Sequence, residues 1–98
     1  MIAPSVEQKA TSEQRAKLFR ALGDETRLNL LSLLLKAEDH LCLGKIVEIF
    51  GRPQGTISHH IKILHRAGLI GRRRTHTWNY YFVFDDRKAE VQSFLEGL

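Results

Sequence analysis

The chain has 98 residues, room for one small domain and too few for several. Its 43% hydrophobic content excludes a disordered chain, and 15 Lys and Arg against 11 acids leave +4, a balance suited to an anionic partner. One cysteine excludes an intrachain disulfide. The longest apolar run, residues 28 to 35, is broken by Asn29 and Ser32 and is far too short to cross a bilayer.

MIAPSVEQKATSEQR lacks a basic-then-apolar leader pattern, so a soluble cytoplasmic protein with no membrane partner is expected. Residues 1 to about 11 read as a loose N-terminal arm or a frayed helix start. Thr11 or Ser12 suits the cap of a first helix through about Leu22, and Gln14 stands three residues after Thr11, where a capping-box partner belongs. Gly23 stops that helix, and Asp24 suits the cap of a second, from Glu25 to about Ala37. Six leucines make this second helix apolar nearly all round, which predicts a central buried element. Leu41 to Leu43 reads as a short extended stretch, Gly44 to Phe50 as a short helix closed by Gly51. After the Arg52-Pro53 turn a further helix runs from Gln54 to about Ala67, stopped by Gly68. Two short helices across a tight turn make a helix-turn-helix, here residues 44–67.

The period then changes from helical to alternating. LIGRRRTHTWNYYFVF reads as a hairpin over 69–84, with strands to about Arg74 and from Trp78 and a tip near Thr75 to Thr77. Asp85 or Asp86 suits the cap of a last helix, 86–98, with Val91, Phe94, Leu95 and Leu98 on one stripe. The predicted fold is mainly α with a small β-hairpin, ordered helix-helix-helix-helix-hairpin-helix: a single winged helix domain over 1–98.

QGTISHHIKILHR carries the chemistry. At about 100° per residue Ile57, Ile61 and Leu64 share a core face, and Gly55, His59, Lys62 and Arg66 lie opposite, flanked by Thr56 and Ser58. Small residues let a helix enter a major groove. Gln, Ser and Thr bond base edges or phosphates, and Lys and Arg neutralise phosphate. Gln54, Gly55, Thr56 and Ser58 occupy the N-terminal positions that recognition helices use on bases. A metal at the adjacent His59 and His60 fits poorly, since helical ligand pairs stand at i, i+4 and no acid or cysteine does so here. His59 is assigned to DNA. His60 leans toward the core edge, to bond within the domain or reach a phosphate. On the wing, Arg72 and Arg74 share a face and Arg73 takes the other, so part of the trio is expected to touch DNA. His76 at the tip joins the candidate DNA contacts. Trp78, Tyr80 and Phe82 alternate with Asn79, Tyr81 and Val83 and read as hairpin packing rather than as base-stacking platforms.

These residues resemble the ArsR/SmtB family of bacterial winged-helix repressors. LFRALGDETRLNLLSLL looks like the family's first-to-second-helix signature, GTISHHIKILHRAGLIGRRR like its recognition helix and approach to the wing, and NYYFVF like its return strand. The resemblance covers roughly residues 15 to 96. It implies a homodimer held by the first and last helices, binding a palindromic operator on double-stranded DNA and released by a chemical signal. It also implies DNA contacts at Gln54, Thr56, Ser58, His59 and the wing arginines. Leu18, Phe19, Val91, Phe94, Leu95 and Leu98 are the candidate dimer interface. RPQG departs from the family by placing Pro53 where a capping Ser is usual, which leaves open where the helix starts and how it tilts.

The family's usual sensor sites are incomplete. LCLGKI matches the first cysteine of a Cys-x-Cys pair at Cys42 but has Gly44 at the second, and DDRKAEVQSFLEGL lacks the histidine of a last-helix site. No metal or other cofactor is assigned, and the small effector stays unknown. Cys42 is expected to be a small buried residue, with Cys42 and His40 as the candidate metal or thiol sensor of an alternative reading. The expected function is a sequence-specific, homodimeric transcriptional repressor. The alternative from another class is a winged helix that binds protein and not DNA. An enzyme is not expected, since no nucleophile–base constellation or phosphate loop is spaced convincingly.

Overall fold

The computed structural model describes the backbone from Val6 to Glu96 and side chains from Ser12 onward. The first helix, α1, spans Val6–Leu22 and so begins well before Thr11 or Ser12, neither of which caps it. Glu7, Gln8, Lys9 and Ala10 are strong helix formers, and their propensity extends the helix into the expected arm. The remainder of that arm, residues 1 to 5, lies outside the described residues.

Helix α2 (Glu25–Lys36) starts where Asp24 predicts, with the Asp24 carboxylate accepting from the Arg27 amide at 3.1 Å. Leu30, Leu31 and Leu34 are fully or nearly buried, which makes α2 the core's spine. Leu41–Cys42 forms β1 and α3 follows over Leu43–Phe50. Gly51 ends α3 in the left-handed region at φ 64°, a conformation glycine reaches without a Cβ clash. Helix α4 spans Gln54–Arg66. It closes in a Schellman motif: the Gly68 amide bonds the His65 carbonyl at 3.0 Å, and the Leu69 amide bonds the Leu64 carbonyl at 3.2 Å. Leu64 and Leu69, both fully buried, supply the apolar contact that accompanies this cap.

The hairpin comprises β2 (Ile70–Thr75) and β3 (Trp78–Val83), joined by His76 and Thr77. His76 has φ 56°, the only non-glycine residue with positive φ among those described. β1 adds antiparallel to β3, with Leu41 opposite Tyr81 and Cys42 opposite Tyr80, so the sheet has three strands in the order β1-β3-β2. Its inner face carries Ile70, Tyr81 and Val83 into the core, and its outer face carries Gly71, Arg73, Tyr80 and Phe82. The absent Cβ of Gly71 makes room for an aromatic cluster. Phe82 packs edge-on against Phe84 at 5.6 Å between ring centroids and stacks on His40 at 4.2 Å.

Neither Asp85 nor Asp86 caps the last helix. Asp85–Arg87 is a turn of 3₁₀ helix, preceded by Phe84 without a side-chain cap, and α5 is Lys88–Glu96. Two expected dimer residues belong to the protomer's own core. Val91 is completely buried, and Leu18 nearly so, because α5 and α1 both pack on α2. Phe19 is 63% exposed and meets Phe94 edge-on at 6.3 Å, with Leu95 half-buried beside it. Leu98 lies outside the described residues. None of the described helices is long and apolar enough to cross a membrane.

Candidate nucleic-acid interface

Helix α4 is amphipathic as its spacing requires. Ile57, Ile61 and Leu64 are buried against the core. Gln54, Gly55, Thr56, His59, Lys62 and Arg66 are exposed, and Ser58 is half-buried at the margin of that face. The helix begins directly after Pro53. The Pro53 carbonyl accepts from the Thr56 and Ile57 amides at 3.1 and 3.2 Å, and no side chain caps the helix. The departure from a capping Ser therefore leaves the start of the helix well defined.

Two polar ties fix its placement. Arg52, in the turn before α4, donates to the hydroxyl of buried Thr26 in the first turn of α2 at 2.7 Å. Arg27 forms the second. Its guanidinium donates to the Ala21 carbonyl at 2.6 Å and the Arg20 carbonyl at 3.3 Å, both in the last turn of α1. It also reaches the His60 Nδ1 at 3.2 Å. A guanidinium only donates, so His60 accepts at Nδ1 and carries its ring proton on Nε2. His60 is thus an internal bond of the fold, one of the two roles its position suggested. Burial lowers its pKa, while Asp24, whose Oδ1 stands 3.9 Å away, pulls the other way. Asp24 itself is held below its ordinary value, chiefly by the Arg27 amide. Nothing in the sequence marked Arg27 or Arg52 for this work, since each stands in an ordinary polar setting until the chain folds.

Arg72, Arg73 and Arg74 are all exposed on the wing, as is His76. The register puts Arg72 opposite Tyr81 and Arg74 opposite Asn79, on the inner side, and Arg73 opposite Tyr80 on the outer side. Arg74 also donates to the His76 carbonyl at 3.4 Å. Trp78 departs from the expectation of hairpin packing, being 57% exposed. The charge is strongly polarised along the chain. Residues 49–84, which include α4 and the wing, contain six Lys and Arg and no acid, leaving nine basic residues against eleven acidic ones elsewhere. Such a surface attracts phosphate within about a Debye length, and the attraction weakens as salt rises.

His40 lies flat on Phe82, Cys42 is half-buried at the start of α3, and no group of three His, Cys, Asp or Glu is placed to hold a metal among the described residues.

The family model "Bacterial regulatory protein, arsR family" matches residues 24–71, from the cap of α2 into β2. An HTH-type transcriptional regulator of Methanocaldococcus jannaschii is 42% identical over 88% of this chain and 96% of its own length. The arsenical resistance operon repressor of Bacillus subtilis is 37% identical over 69% of this chain, which spans 64% of that repressor. Among solved structures, a homodimeric winged helix-turn-helix DNA-binding domain from Mycobacterium bovis, a possible ArsR-family regulator, superposes with a TM-score of 0.82 at 27% identity. The match covers 99% of this chain and 88% of that one.

Proposed function

Since the chain belongs to the arsR family of bacterial regulatory proteins, we propose that it is a transcriptional repressor acting as a homodimer on a palindromic operator. The family and fold are those of DNA-binding transcription regulators and not of enzymes. The observation that carries the reading is the acid-free stretch 49–84, folded so that its exposed side chains lie on α4 and the wing.

In this reading Gln54, Gly55, Thr56, Ser58 and His59 face base edges in the major groove, with Lys62 and Arg66 on flanking phosphates. Arg72, Arg74 and His76 meet the backbone beside it. Phe19, Phe94 and Leu95 supply the two-fold contact, and the symmetry of the pair sets that of the operator. The repressor of Bacillus subtilis to which the chain is similar supports repression as the mode of control. A cytoplasmic protein is part of the same reading. The inducing signal is not assigned, and Cys42 is left to packing.

The test is binding to duplex DNA from the chain's own promoter region. Tight, salt-sensitive binding is expected. His59→Ala or Thr56→Ala weakens it by about 1–3 kcal/mol per lost base contact. Equal affinity for unrelated duplexes, or unchanged affinity in both variants, would remove α4 from the base contacts.

A further inference from the structure

Trp78 is the chain's single tryptophan. It opens β3 opposite Thr75, beside the two-residue tip, and is 57% exposed. More than half of its surface is left unpacked by the fold. The aromatic cluster on the same face of the sheet ends short of it: Phe82 is covered by His40 and Phe84, and Tyr80 is already only half-buried. A large indole left in water at a hairpin tip is an unspent contact surface. Its surroundings say what fits. Arg73 lies two residues along on the same outer face, Arg74 and His76 flank it, and no acid stands within residues 49–84. A protein partner that buried the indole would have to supply all the compensating negative charge itself. A DNA duplex offers phosphates for the arginines and, between them, the apolar faces of deoxyribose and the floor of the minor groove. Apolar side chains flanked by arginine are a recurrent means of gripping that groove.

We propose that Trp78 is a DNA-contact residue, its indole packing on deoxyribose at the edge of the minor groove while Arg73, on the same outer face, holds the adjoining phosphate. The proposal rests on the wing being a DNA-binding element, and it adds an apolar contact to an otherwise electrostatic one. An apolar contact has its own signature. Its removal weakens binding equally at every salt concentration, whereas removal of a phosphate contact lowers the salt slope by about one.

The single tryptophan makes the contact directly observable. Full-length protein is titrated with duplex from its promoter region. Binding is followed by anisotropy of a dye on the DNA, and Trp78 separately by its emission and by acrylamide quenching. DNA is expected to shift the emission and shield the indole. Trp78→Ala is expected to weaken binding about tenfold, the scale of one lost groove contact, with an unchanged salt slope. Trp78→Phe is expected to recover most of the affinity, and Arg73→Ala to lower the slope. Binding seen by anisotropy with emission and quenching unaltered would overturn the Trp78 contact and leave the recognition helix intact. Absence of any binding would overturn both. Shielding that grows with protein concentration without DNA would make the indole a protein–protein surface and overturn the proposal. A reduced salt slope in both Trp78 variants would also overturn it, by making Trp78 a support of the hairpin.

Discussion

Arg27 is the point at which α1, α2 and α4 are bonded together, so its loss should be felt in both stability and DNA binding. Arg27→Ala removes donors from Ala21 at 2.6 Å, Arg20 at 3.3 Å and His60 at 3.2 Å. Hydrogen bonds from a charged donor contribute about 1.5–3 kcal/mol each when well formed. The Ala21 bond is short, the other two are long, and the guanidinium is partly exposed, so about 2–4 kcal/mol is expected in total. His60→Ala removes one of those bonds and part of a buried ring, for about 1–2 kcal/mol. The two losses overlap in the shared bond, so the double variant should fall short of additivity by about 1 kcal/mol. The assay is urea unfolding of the four proteins at one chain concentration and at pH 8, because dimerisation makes stability concentration-dependent. Operator affinity should fall for both single variants although neither side chain faces DNA. Additive losses would refute the bond between α2 and the recognition helix. Lost stability with unaltered DNA affinity would refute its role in setting the helix.

The same bond gives a pH dependence. Burial lowers the His60 pKa, so the fold favours the neutral ring and holds fewer protons there than the unfolded chain. That contribution is complete above the ordinary imidazole value of about 6.5 and is lost as pH falls from there through the folded value. The urea midpoint should therefore drop between pH 7.5 and 5.5, and His60→Gln should flatten the drop; an equal drop in the variant would place the effect elsewhere. Two glycines should respond in opposite ways. A Cβ on Gly71 would stand 2.6 Å from the Phe82 ring and 2.9 Å from Phe84, and His40 blocks the far side of Phe82, so Gly71→Ala should destabilise by about 1–3 kcal/mol in thermal or urea melts. A Cβ on Gly55 meets nothing within 4 Å, so Gly55→Ala should keep or slightly raise stability while weakening operator binding; unimpaired binding would mean that the helix does not sink into the groove there.

Much of this was legible in the sequence where a local rule decides the outcome. Asp24 caps α2, Gly51 and Gly68 stop their helices in the left-handed region, and Ile57, Ile61 and Leu64 bury one face of α4. The alternation over 70–83 gave the hairpin and the division of the three arginines between its faces. Long-range facts were not legible. The pairing of Leu41–Cys42 with β3 joins segments far apart in the chain. The Arg27–His60 bond spans 33 residues, and no spacing rule reaches that distance. Val91 has the same spacing whether its stripe meets another subunit or its own core, and only the packing of α5 on α2 decides between them. Trp78 alternates with Tyr80 and Phe82 like a packed residue, yet it lies past the point where the sheet has anything to cover it.

The two faces of α4 also have different histories open to them. Ile57, Ile61, Leu64 and His60 are bound into the protomer, so most changes there are removed by loss of folding. Gln54, Gly55, Thr56 and His59 are exposed, and the stability of the domain is nearly indifferent to them. After a gene duplication, one copy can therefore drift at these positions and acquire a new operator without first losing its fold. A duplicated regulator of this build would diverge in what it binds long before it diverged in how it folds.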